Sequence, residues 1–118
     1  MQSLFERAGG FPKVSKIVSR FYDRVLDDPQ LSPFFAGVDM KRQIDHQTKL
    51  IASLMGGPAS FSDEHLSRVH AHLGITSDDF VRLSGVLRDT LEDSNMPETD
   101  IGELMAEFRS KRQLVVTK

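Results

Sequence analysis

A histidine in an apolar helical stripe must commit its ring nitrogens to a hydrogen-bond partner or a metal, because burying them unsatisfied is costly. His70 is such a residue. Leu66, Val69, His70 and Leu73 recur at helical spacing within residues 64–73 and share one face. A second polar set lies upstream: Gln43, His46, Gln47 and Leu50 fall at i, i+3, i+4 and i+7, on one face of another helix. Amides directed at a core are unusual. The plainer alternative leaves both glutamines solvated at the end of their helix. Tyr22, the one tyrosine, sits in the best apolar stripe of the chain, where its hydroxyl needs a partner. Alone it reads as a core tyrosine bonded to a backbone carbonyl. With Gln43 and Gln47 it forms a set of hydrogen-bond donors suited to a small polar ligand in an apolar pocket.

The remaining candidates are weaker. His46 alone reads as an exposed helix histidine, and opposite a metal it becomes a ligand. His65 and His72 are seven residues apart on the outer face of the short helix, and His70 and His72 diverge. With no cysteine and no evident third ligand, these histidines do not assemble a zinc site. Phe34-Phe35 is either plain core or a wedge against a flat aromatic cofactor.

The elements that must position these residues are helices. Val14, Ile17, Val18, Phe21, Tyr22, Val25 and Leu26 trace an amphipathic stripe. Gly9-Gly10 separates it from a short first helix, Pro12 suits its first turn, and Asp27-Asp28-Pro29 ends it. Leu31 to Phe35 forms an apolar corner. Asp39 caps a third helix running to about Met55, which Gly56-Gly57-Pro58 breaks. After the His70 helix, Thr76 and Asp79 stand at capping-box spacing before a helix that turns Phe80, Leu83, Leu87 and Leu91 inward. Asn95 to Thr99 is a turn, and a last helix buries Ile101, Leu104, Met105 and Phe108. No alternating strand pattern, repeat or low-complexity segment is present, so the expected fold is all-α, a packing of helix pairs in one domain spanning residues 1–118.

Composition narrows the function. The 118 residues carry a formal charge of -2, without a basic patch of the kind that binds nucleic acid. The absence of cysteine excludes disulfides, Cys-held clusters and thiol catalysis. Residues 1–6 lack the form of a secretion signal, and the longest mostly apolar run, Leu50 to Met55, is too short to span a bilayer. A cytoplasmic, monomeric protein with no membrane partner is the expectation.

Taken in order, these residues resemble a group I truncated haemoglobin over nearly the whole chain. The resemblance rests on Gly9-Gly10, the run Phe21 to Leu26, Leu31 to Phe35, Val38-Asp39-Met40, His46-Gln47, Gly56-Gly57, Val69-His70 and Gly74-Ile75-Thr76 with Phe80 beyond. It implies a two-over-two helical sandwich around non-covalent haem b. His70 then matches the proximal iron ligand, Tyr22 the distal donor to dioxygen, and Gln43 and Gln47 the positions that assist it. Phe35 matches a phenylalanine packed on the porphyrin, and Leu66, Leu73, Phe80 and Leu83 match haem contacts. Arg42 and Arg68 suit the propionates by charge and position. His46 resembles the cyanobacterial and algal subset, in which this residue can close onto iron. The late histidine that attaches haem covalently in some of those relatives has no counterpart, since the last histidine is His72.

That resemblance implies binding of O2, NO and CO, with NO dioxygenation as the use and an external reductase or electron donor as partner. Two competing readings stand beside it. One is a redox protein with His46 and His70 both on iron. The other is a haem-free helical interaction module with an exposed apolar groove.

Overall fold

The computed structural model describes residues 3–57 and 74–116. The stretch carrying His65, Leu66, Arg68, Val69, His70, His72 and Leu73 lies outside the described residues.

Local chemistry sets the helix starts. In α1 (Leu4–Arg7) Ser3 and Glu6 form a capping box, with the Glu6 backbone N–H donating to Ser3 Oγ at 3.2 Å. α2 (Gly10–Asp27) begins where Gly9 and Gly10 take φ of 103° and 74°, a reversal that side-chain-bearing residues adopt only with strain. Pro12 stands in the first turn of α2, as expected. A 3-10 turn (Ser32–Phe35) makes the apolar corner, and α3 (Met40–Leu54) is capped by Asp39, which accepts from the Arg42 N–H. α4 (Ser77–Asp93) opens on the Thr76–Asp79 capping box. α5 (Glu98–Ser110) starts two residues earlier than the sequence suggests, so Thr99 is helical rather than part of the turn. A short α6 (Arg112–Val115), which the apolar pattern did not announce, follows directly.

These helices form two pairs. α2 lies on α3, α4 lies on α5, and the pairs meet where α2 crosses α4 and α3 touches α5. At the crossing Val14, Val18, Val25, Leu87, Leu91, Ile101, Leu104 and Met105 are almost fully excluded from water. Each such side chain contributes ~1.5–3 kcal/mol by its burial. Leu26 departs from expectation and is exposed. Twelve residues beyond Val14, a 3.6-residue helix has turned it about 120° from the stripe's starting direction, over the edge of the buried face.

Polar clasps hold the pairs in register. Arg24 on α2 reaches Asp93 and Thr90 on α4, and Arg7 Nη2 meets Asp100 Oδ1 on α5 at 3.1 Å. Phe5 N–H donates to Met55 C=O at 2.9 Å, tying α1 to the end of α3. Gly57 completes that junction. A Cβ there would come within 2.9 Å of both the Ala52 carbonyl oxygen and the Phe5 ring, so no larger residue fits without displacing them.

Candidate functional site

Between the two pairs, bordering the core at Val18 and Leu87, is an apolar cleft. α2 supplies Ile17, Val18, Phe21 and Tyr22, and the corner supplies Leu31, Phe34 and Phe35. α3 supplies Gln43, Gln47, Leu50, Ile51 and Leu54. Ile75, with Asp79, Phe80, Leu83 and Leu87 of α4, closes the opposite wall with Phe108, Lys111 and Val115. The cleft offers about 120 Å3 to water-sized bodies and about 1120 Å3 of free space with its open mouth included. A single water needs only ~10–15 Å3.

Tyr22 is 4% exposed and is held from two sides by rings. Phe21 and Phe35 meet it edge-on at centroid distances of 5.1 and 5.4 Å. Gln43 Nε2 donates to the Tyr22 hydroxyl oxygen at 3.3 Å. Asp39 makes this possible: by starting α3 where it does, it places Gln43 opposite Tyr22 and Gln47 one turn further along the same wall. Among the described residues no group accepts the Tyr22 hydroxyl proton, so a buried donor faces the cleft with its hydrogen bond unspent. Burial pushes the phenol well above its ordinary pKa, and the Gln43 bond only partly opposes that. The hydroxyl therefore stays a donor throughout the physiological pH range.

Of the other candidates, Phe35 and Leu83 are half-buried and Phe80 is buried in the cleft wall, where Phe80 stacks on Phe108 at 5.3 Å with 11° between planes. His46 and Arg42 are exposed on α3, and neither is part of the described lining. Lys111 and Val115 were not singled out by sequence, because they follow the last apolar stripe and α6 brings them back onto the cleft.

The far end of the cleft is braced electrostatically. Arg82 Nε donates to Asp28 Oδ2 at 2.6 Å, and the Gln30 N–H donates to the same carboxylate at 2.8 Å. These contacts hold the Asp28 carboxyl below the usual carboxylate range, the Arg82 bond foremost. Gln30 Nε2 donates to Asp79 Oδ1 at 2.8 Å, and with the Thr76 N–H it lowers the Asp79 pKa as well. This latch fixes the Phe34-Phe35 corner against the start of α4.

Aromatic and aliphatic walls and one buried unspent donor fit a flat apolar group with a polar ligand on one face. A family model described as bacterial-like globin matches residues 3–116. The chain belongs to the bacterial-like globin family. This globin is 35% identical to the group 1 truncated hemoglobin GlbN of Mycolicibacterium paratuberculosis over 87% of its own length and 76% of that protein's. It is 33% identical to the GlbN of Synechocystis over 90% of its length and 89% of that protein's. The truncated hemoglobin of Tetrahymena pyriformis in its Fe(III) form superposes at a TM-score of 0.90 with 26% identity, covering 99% of this globin and 100% of that chain. The 2/2 hemoglobin of a Synechococcus species, cyanomet and with covalently attached heme, gives 0.88 with 27% identity, at 99% and 100% coverage. The fold of this globin is thus the two-over-two sandwich. Globins of this kind carry haem and bind diatomic gases. No helix among the described residues is long and apolar enough to cross a membrane.

Proposed function

We propose that this globin would hold haem b non-covalently in the cleft through His70, with Tyr22, Gln43 and Gln47 available to a bound diatomic gas. The observation that carries the reading is the buried Tyr22 hydroxyl, supported by Gln43 and with its own proton unspent toward the cleft. Bound there, haem would supply an iron able to bind O2, NO or CO. The protein's own residues do the rest. Tyr22 donates a hydrogen bond to the partly negative gas, each such bond contributing on the order of 1 kcal/mol or more. Gln43 orients the Tyr22 hydroxyl, and Gln47 offers a second amide one turn away. Phe35, Phe80 and Leu83 exclude water, and Leu66 and Leu73 are assigned to the same apolar enclosure. Arg42 and Arg68 are assigned to the propionates by charge.

Three variants of the Tetrahymena hemoglobin support the donor set: one tyrosine and two glutamines are substituted in them at the same intervals as Tyr22, Gln43 and Gln47. We assign NO dioxygenation as the use, in which NO, O2 and one electron give nitrate, the electron coming from an external donor. The Synechococcus protein carries covalently attached heme; residues 73–118 of this chain contain no histidine, and the holding proposed here is non-covalent. The bis-histidyl alternative draws less support, since His46 is exposed while Gln43 and Gln47 line the cleft. Membership of a haem-carrying family sets the haem-free module aside.

Absorption spectra of the purified protein, oxidised and reduced, test the reading. A haem spectrum that is high-spin at neutral pH and shifts with CO supports it. A low-spin resting spectrum that His46→Ala turns high-spin supports the alternative. His70→Ala is expected to abolish haem retention, and normal haem content in that variant overturns the proximal assignment.

A further inference from the structure

Residues 109–118 contain Arg109, Lys111, Arg112 and Lys118 and no acid, in a chain whose net charge is -2. The described part of this stretch borders a second cavity, lined by Ser77, Arg109, Ser110, Arg112, Gln113 and Val116, with about 590 Å3 of room. Four other arginines are neutralised by carboxylates: Arg7 by Asp100 and Glu103, Arg24 by Asp93, Arg82 by Asp28, and Arg88 by Glu92 and Glu98. Arg109 and Arg112 have no carboxylate partner among the described residues, and Arg112 Nη2 donates only to the Ser77 hydroxyl. Like charges three residues apart destabilise one another. The two guanidinium groups therefore lack an anion among the described residues. The guanidinium fork matches the oxygens of a phosphate group, and the Ser77 hydroxyl and the Gln113 amide offer further donors, the Ser110 hydroxyl being spent on the Glu107 carbonyl.

We propose that this cavity binds an oxyanion of the phosphate type, either inorganic phosphate or a phosphate monoester. Arg109, Arg112 and the Ser77 hydroxyl border one open pocket, a donor set matched to a single small oxyanion. Occupancy has a structural consequence. Arg112 lies on α6, which sets Val115 on the haem cleft, and Ser77 opens α4, which sets Phe80 there. An anion bridging them clamps α6 against the cleft. The clamp, unlike the binding itself, rests on the haem reading.

Calorimetric titration of the purified holoprotein with inorganic phosphate, against chloride at equal ionic strength, tests the site. Saturable one-to-one binding is expected, weakened about tenfold or more by Arg109→Gln/Arg112→Gln and unchanged by Arg20→Gln. Circular dichroism confirms that the variants remain helical. Glycerol phosphate separates the two sources: tighter binding than free phosphate points to a metabolite, and equal binding points to phosphate itself. Absence of saturable binding, equal binding by the double variant, or equal competition by chloride overturns the proposal, the last marking a diffuse patch for an acidic protein. At saturating phosphate, haem transfer to apomyoglobin is expected to slow roughly threefold in the parent and not in the double variant. An unchanged rate with phosphate binding intact overturns the clamp and leaves haem binding untouched.

Discussion

Tyr22 combines two properties that pull against each other. Its ring is packed into the core between Phe21 and Phe35, which favours burial of the whole residue, yet its hydroxyl is brought to a wall of the cleft where only Gln43 meets it. Removing the hydroxyl while keeping the ring isolates the second property. Tyr22→Phe is expected to raise the O2 dissociation rate by about fivefold to tenfold, corresponding to ~1–1.5 kcal/mol for one lost hydrogen bond, as read by stopped-flow displacement. An unchanged rate removes Tyr22 from the ligand's surroundings. Gln43→Leu is expected to have a smaller effect in the same direction, because it loosens the orientation of the donor rather than removing it. The phenol also predicts an alkaline response. Its pKa is raised in the folded state, so stability from this group is complete below the ordinary value of 10.0 and is lost as pH climbs above it, where only the unfolded chain ionises. Since Tyr22 is the one tyrosine, phenolate absorbance should appear only with unfolding, and Tyr22→Phe should flatten the alkaline limb of a urea-midpoint profile.

Among the elements, the start of α4 governs the cleft more than its own length does. The Thr76–Asp79 capping box sets where the helix begins, which decides that Phe80 and Leu83 face α5 and the cleft. Thr76→Ala is expected to cost about 1 kcal/mol in urea unfolding. The same turn carries half of the latch to Asp28 and Gln30. Asp28 and Asp79 both have lowered pKa values, so the stability they add is present above the ordinary 3.8 and is lost as pH falls through their lowered folded values. Urea midpoints should therefore be insensitive to these groups from pH 7 to 5 and fall below about 4. Arg82→Gln should blunt that acid limb.

For the whole molecule, a cleft of this size between the helix pairs means that the core is completed by the group it holds. The densest packing runs where α2 meets α3 and α4 and where α4 meets α5, with Val14, Val25, Ala52, Leu91 and Leu104 excluded from water, and beside it the Tyr22, Phe35, Phe80 and Phe108 rings line the cleft. Haem removal is expected to lower the thermal midpoint markedly, since a ligand bound only by the folded state adds RT ln(1 + [L]/Kd), ~4 kcal/mol at a thousandfold excess over Kd. Differential scanning calorimetry of the holoprotein and of acid-butanone-extracted apoprotein measures this. Equal midpoints would mean that the cleft is self-supporting.

The helices and their buried faces are legible from the chain alone because both depend on local rules. A stripe at 3.6-residue spacing marks α2, a side-chain cap marks the starts of α3 and α4, and paired glycines mark the reversal before α2. The polarity of the site is legible for the same reason: Tyr22, Gln43 and Gln47 stand out as polar groups on apolar faces. What periodicity cannot encode is distance between elements. Packing brought Gln43 to Tyr22, Arg82 to Asp28 and Phe108 onto Phe80, each pair more than twenty residues apart in the chain. Packing also left Leu26 beyond the edge of its contact and His46 on an exposed part of α3, although each shares a helical stripe with buried or lining neighbours. A helix face is wider than the contact it makes, and only the crossing of two helices decides which part of that face is covered.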